Sequence, residues 1–275
     1  PASGGLVRRM FESDLFYSFR RSRLTMAATA VTLLFFLLAI FASVIAVQNP
    51  FDPAQLLLIN SRIPPLWEAD GQMPYLFGTD EQGRDVLSAI LYGLRVSLLV
   101  GILGVLFSGL LGVVLGLVAG YVGGAVDSLI MRIADVQLTF PAILIALLVN
   151  GVAKSVLGNR MDAISMLAVL VLAIGLSFWV QYARTVRGSV MVEKNKDYVA
   201  AAQLIGLPAQ KIMLRHVLPN TMGPILVIAT INLALAIITE ATLSFLGSGM
   251  PDTMPSLGTL IRIGNNYLFA GEWWI

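Results

Sequence analysis

The chain has 275 residues, of which 57% are hydrophobic and only 12% charged, whereas roughly a quarter of an ordinary soluble domain is charged. A soluble fold could not hide so much apolar surface, and several windows nearly free of charge reach the length of about 20 residues that a helix needs to cross a bilayer. The formal charge is +2 and there is no cysteine, which excludes disulfide scaffolds, thiolate metal sites and cysteine nucleophiles. The pattern predicts an all-α integral membrane protein, a polytopic helical bundle.

Residues 1–25 form a basic N-terminal segment with Arg8, Arg9, Arg20, Arg21 and Arg23, and no cleavable signal sequence is evident. A first span covers 26–47 and is closed by Gln48, Asn49 and Pro50. The connection 48–95 carries six acids against Arg62, Arg84 and Arg95. Its stretch 78–85 (GTDEQGRD) has the acid and glycine density of a structured loop, in which Asp80, Arg84 and Asp85 can pair locally. The remainder, 96–275, reads as one helical core.

In that core a second span covers 96–118 and contains Gly101, Gly104, Gly109, Gly112 and Gly116. Gly112 and Gly116 form a GxxxG pair, which in lipid lets two helix backbones approach closely. Asp127, Arg132 and Asp135 fall on a short link, where local ion pairs would hold the turn or a partner would dock. A third span covers 136–152 with Pro141 near its start, where helices tolerate proline. GVAKS at 151–155 lacks the glycine that a phosphate-binding Lys-Ser pair requires and reads as an outside loop. The fourth and fifth spans cover 163–182 and 225–246. Trp273 and Trp274 are an interfacial aromatic pair that would open a sixth span beyond residue 275.

Basic residues set the orientation by the positive-inside rule. The arginine-rich segment 1–25 is expected in the cytoplasm, 48–95 outside it. Alternating crossings place 183–224, with Arg184, Arg187, Lys194, Lys196, Lys211 and Arg215, back in the cytoplasm.

The segment 193–220 (EKNKDYVAAAQLIGLPAQKIMLRHVLPN) reads as two short cationic amphipathic helices. The first is rich in alanine; Gly206 suits a left-handed cap, and Pro208 suits the first turn of the second helix. Ile212, Met213 and Val217 recur at helical spacing among Lys211, Arg215 and His216, and Pro219 would end that helix. Such a hairpin either docks a partner or lies on anionic headgroups.

DYVAAAQLIG followed by KIMLRHVLPN resembles the EAA loop of ABC importer permeases, with Ala201, Ala202 and Gly206 in the signature positions and Ala200 where the signature has its acid. FGTDEQGRDVLSAILYGLRVSLLVG (77–101), AGYVGGAVDSLIMRIADV (119–136) and EATLSFLGSG (240–249) are similar to segments of dipeptide, oligopeptide and nickel permeases, C-type subunit. The resemblance implies a type I ABC importer permease in a bacterial inner membrane, a subunit that is not itself an enzyme. Its implied partners are a second permease subunit, two ABC ATPase subunits and an extracytoplasmic substrate-binding protein, within membrane lipid and with no nucleic acid. No cofactor is implied in this chain, since ATP and Mg would be bound by the ATPases. The coupling element would be Ala201, Ala202, Leu204, Gly206, Leu207, Pro208, Lys211, Ile212 and Arg215.

Glu240, the acid within the proposed spans, is expected to face protein or a water-filled path, because a lipid-facing charge is costly. It would hold the amino group of a passing peptide or support the bundle; Asn232, two turns earlier, shares its face. His216 is the sole histidine, so a nickel importer would leave metal recognition to the delivering protein. A small-solute importer of the same architecture is the nearest alternative. Of other classes, a proton-driven secondary transporter would use Glu240 as its proton site. A membrane-embedded enzyme is disfavoured because neither HExxH nor GxSxG occurs.

Overall fold

The computed structural model of the chain describes residues 14–157 and 162–275; Arg8 and Arg9 of the basic cluster lie outside the described residues. Among the described residues every regular element is helical, and the β-type pairing is one isolated bridge between Thr79 and Asp85. The principal helices are α1 (Asp14–Arg21), α2 (Arg23–Ile40), which one further turn, Ala42–Ile45, follows, α3 (Val86–Val122), α4 (Gly124–Leu138), α5 (Ala142–Leu157), α6 (Ala163–Glu193), α7 (Asp197–Leu204), α8 (Ala209–Ile212), α9 (Met222–Phe245) and α10 (Leu257–Tyr267). Four helical stretches have the length and apolarity to cross a membrane, Arg23–Ile40, Val86–Val122, Ala163–Glu193 and Ala209–Phe245; α4 and α5, bent by 95°, make a fifth if taken as one span.

Short polar side chains start the helices by satisfying first-turn N–H groups. Ser22 accepts from Thr25, Asp85 from Ser88, Asp162 from Ser165 and Ser256 from Thr259. At the end of α2, Arg95 donates to the carbonyls of Ala39 and Ile40 at 3.1 and 2.9 Å, placing a cation on the negative pole of that helix.

The spine of the bundle is α3 against α6, and glycine makes it. A Cβ at Gly112 or Gly116 would overlap the carbonyl oxygen of Trp179 or Ala183; one at Gly120 would stand 2.9 Å from that of Arg187. Successive glycines four apart thus line one face of α3, and the backbone of α6 lies directly in the groove they leave. At about 1.5 Å per residue, the 37 residues of α3 span about 55 Å, well beyond the ~30 Å hydrocarbon layer. The spine is therefore longer than the hydrocarbon layer is thick.

Several boundaries differ from the sequence reading. The helix of the second span starts at Val86, because the Asp85 cap lies eleven residues before the apolar window, and the fourth continues to Glu193. The third is broken at Thr139–Pro141 rather than running through, since proline lacks an N–H and disfavours helix at the preceding residue. Asp127, Arg132 and Asp135 sit on the 15-residue helix α4, not on a short link, and the two acids do not pair locally. Asp127 binds Arg187 at 2.5 Å and Asp135 binds Arg184, both on α6. GVAKS is not a loop but the last turns of α5, where Asn150 donates to the carbonyl of Ser248.

Segment 48–85 folds into a cap over the far ends of α3 and α9. Asp80 accepts from Arg84 Nε at 2.6 Å and from the backbone N–H groups of Gln82 and Arg84. Arg84 reaches on to the carbonyl of Asp252 at 3.1 Å, and Trp274 Nε1 donates to that of Thr79 at 3.2 Å. The stretch 247–272 contains α10, which lies across α3 and α9; Gly258 permits this, since a Cβ there would collide with Ala241.

Candidate coupling surface and buried polar node

The hairpin is built from local rules. In α7 the N–H of Gly206 bonds the carbonyl of Gln203 at 2.9 Å and the N–H of Leu207 bonds that of Ala202 at 3.1 Å. This is a Schellman cap, which needs a residue at positive φ, and Gly206 supplies φ 77. Pro208 stands just outside α8, at its N-cap position, where its carbonyl accepts from Lys211 and Ile212.

Pro219 does not end the second helix. The chain passes from α8 through a π turn, Met213–Val217, and a 3-10 turn, Leu218–Thr221, straight into α9. The wider π turn absorbs the clash that proline makes with the carbonyl four residues back. The hairpin and the following span are thereby one helical rod, Ala209–Phe245.

One face of the hairpin is buried against the ends of α3 and α6. Val199, Ala202, Ile212 and Val217 pack with Leu117, Val186, Val190 and Ile225. The opposite face is open: Ala201, Gly206, Pro208, Lys211 and Arg215 are exposed, and Leu204 and Ile205 are 88% and 76% exposed. The predicted coupling set therefore splits. Ala202 and Ile212 belong to the inner face, Leu207 is half-buried between the two, and the others lie outward. Ile205 and Leu214, 76% and 58% exposed, extend the apolar patch and were missed. Ile205 follows Leu204 at the helix end, so a strict helical wheel hides their adjacency across the cap.

Polar contacts hold the roots of the hairpin. Glu193 accepts from Lys196 Nζ and from the Tyr198 hydroxyl, each at 2.6 Å. Asn220 Nδ2 donates to the Tyr198 hydroxyl at 3.2 Å and to the carbonyl of His216 at 2.7 Å. Lys194 Nζ donates to the carbonyl of Gly120 at the end of α3, 2.7 Å away. Burial raises the Tyr198 hydroxyl above its ordinary pKa, and the Glu193 carboxylate raises it further. The hydrogen bond to Glu193 likewise raises Lys196.

The second predicted site lies inside the bundle. Glu240 is 0% exposed, and its carboxylate oxygens accept from Ser97 at 2.9 Å and Ser244 at 2.6 Å. These hydroxyls are tied in turn to the segment crossing above: Leu257 N–H donates to Ser97 and the Ser256 hydroxyl to Ser244. Asn232 is also fully buried, beside Tyr182, with neither side-chain polar atom in a hydrogen bond. Asn232 and Glu240 do share the inward face of α9, but eight residues keep them in separate clusters. No grouping of three or more side chains suited to a metal ion occurs among the described residues.

Two features now define the class: a glycine-packed transmembrane bundle without a nucleotide-binding motif, and an outward apolar hairpin continuous with a spanning helix. The chain belongs to the family of binding-protein-dependent transport system inner membrane components, whose model matches residues 112–272. Residues 12–65 match the N-terminal transmembrane domain of oligopeptide transport permease C, which places the chain among the C-type dipeptide and oligopeptide permeases of that family. It is 38% identical over 263 residues to the dipeptide transport system permease protein DppC of Escherichia coli (strain K12), covering 95% of this chain and 83% of that one. Identity is 34% over 260 residues to the DppC of Haemophilus influenzae, covering 94% and 84%, and 34% over 260 residues to the oligopeptide transport system permease protein OppC of Bacillus subtilis (strain 168), covering 94% and 79%. The protein is a multi-pass membrane permease component with the all-α architecture of type I ABC importer permeases.

Proposed function

We propose that this chain forms half of the translocation path of an ATP-driven, binding-protein-dependent importer of dipeptides or oligopeptides, and that its hairpin receives the stroke of a cytoplasmic ATPase. The peptide assignment rests on the transport systems of its relatives. The coupling assignment rests on one observation: Leu204, Ile205 and Leu214 stand exposed, as do Lys211 and Arg215, on a hairpin whose other face is locked into the bundle. Fully burying a leucine or isoleucine contributes roughly 1.5–3 kcal/mol, so covering this patch favours a docked partner. The surface is shaped for apolar fit flanked by cations, and exposed Ala200 leaves no acid there to form a salt bridge.

The basic residues before α2 and around the hairpin support a cytoplasmic N-terminus and a cytoplasmic hairpin, separated by four crossings. ATP and Mg are then bound by two partner ATPases, a second permease completes the path, and a binding protein delivers substrate to the cap at 48–85. When the ATPases close, the rod Ala209–Phe245 carries the displacement into the bundle. For Glu240 and Asn232, complete burial supports work within the bundle over direct contact with substrate.

The test is ATP-dependent uptake of a labelled dipeptide by the assembled transporter in proteoliposomes, with ATPase co-purification measured alongside. Leu204→Asp and Gly206→Trp are each expected to lower both. Unchanged uptake and co-purification in the two variants would remove the docking assignment.

A further inference from the structure

The roots of the hairpin carry a second device. We infer that Glu193, Tyr198 and Asn220 form a buckle that fixes the hairpin's angle to the membrane bundle, making Tyr198 and Asn220 positioning residues for coupling; the inference deepens the docking role proposed above and rests on it.

The geometry carries the assignment. Glu193 is the last residue of α6, Tyr198 lies in the first turn of α7, and Asn220 sits in the 3-10 turn that leads into α9. One tyrosine hydroxyl donates to the first element at 2.6 Å and accepts from the third at 3.2 Å. The incoming helix, the hairpin and the outgoing rod thus meet at a single oxygen. Asn220 uses its other N–H on the carbonyl of His216, within the π turn, where regular hydrogen bonding is disturbed. Lys194 ties the same corner to α3 through the carbonyl of Gly120.

A hairpin held only by its apolar face could tilt, because apolar contacts are non-directional. Hydrogen bonds are directional and weaken steeply off axis. A docked ATPase pushing on Leu204 and Ile205 acts at the far end of a short lever, so its stroke reaches α9 only if the root resists bending. The Tyr198 hydroxyl has two partners, both on other elements.

The 275 residues contain no cysteine, so labels can be directed to chosen positions among them. Gln210→Cys and Val122→Cys, on α8 and at the end of α3, take nitroxide labels in the transporter reconstituted with its partner permease and ATPases. The distance distribution between the labels is expected to be narrow, and to broaden in Tyr198→Phe and Asn220→Ala. In the same variants, without the labels, peptide transported per ATP hydrolysed is expected to fall several-fold while the ATPases remain bound. Distributions and transport ratios that stay unchanged in both variants would overturn the buckle. Retention of the ATPases by Leu204→Asp would overturn the docking role instead, whatever the Tyr198→Phe distribution shows, so the two failures are distinguishable.

Discussion

The two ends of the bundle are built on opposite terms. At the cap, polar groups close on one another: Asp80 with Arg84, Arg84 with the carbonyl of Asp252, Trp274 with that of Thr79. At the hairpin, hydrogen bonds secure only the root, and large apolar side chains beyond it face outward. The cap too exposes large apolar side chains, Leu58, Ile59 and Met73 among them, but it is closed by a buried ion pair, Asp80 with Arg84, for which the outer face of the hairpin has no counterpart. Substitutions at the first end should therefore be felt by the fold, and at the second by assembly.

The largest effect is expected at the cap. Arg84→Met leaves the Asp80 carboxylate buried without its partner, and breaking a buried pair in this way costs about 3–5 kcal/mol. Thermal unfolding in detergent should move markedly downward while ATPase retention by the surviving folded protein is unaffected. Lost retention at normal stability would invert the contrast. Leu204→Asp comes next: removing about 2–3 kcal/mol of apolar burial should weaken ATPase binding by roughly 30- to 150-fold, with the unfolding temperature unchanged. Glu240→Gln, which keeps the shape but removes the charge from two hydroxyl donors, should cost about 1–2 kcal/mol of stability. Transport kinetics at permissive temperature should be preserved; a changed KM for dipeptide would restore Glu240 to the substrate path. The smallest effect belongs to Lys196→Met, because exposed ion pairs contribute little. Its unfolding temperature and uptake should match the parent within error.

What could be read in the sequence was what depends on neighbours along the chain or on the solvent. Apolar windows announce spans because lipid cannot satisfy a bare backbone. Gly206 announces a cap because the left-handed turn there is set within six residues. Gly112 and Gly116 announce a close approach, though not to which helix. Long-range pairing was hidden. Asp127 and Asp135 lie 60 and 49 residues from Arg187 and Arg184, and nothing along α4 points to α6. The hydroxyl contacts of Glu240 were equally illegible, since Ser97 is 143 residues away. The short helix α10 had a signal, Ser256 as cap followed by Leu257, Leu260 and Ile261, but eleven residues are too few to stand out among spans. In the hairpin, spacing identified the apolar residues but could not say that Ala202 and Ile212 turn inward while Ile205 and Leu214 turn out.

The glycine seam between α3 and α6 bears on how such a bundle can move. Where side chains separate two helices, small rotamer changes let one slide on the other; here carbonyl oxygens of α6 rest in notches with no side chain between. Sliding by less than a full turn would drive those oxygens onto the ridges of α3. The pair should therefore behave as a single stiff column, and displacement entering at the hairpin has to be taken up where α9 meets that column through Leu233 and Ile237. Gly112→Leu would pry the column apart rather than loosen a joint, and loss of folded protein in the membrane is its expected signature.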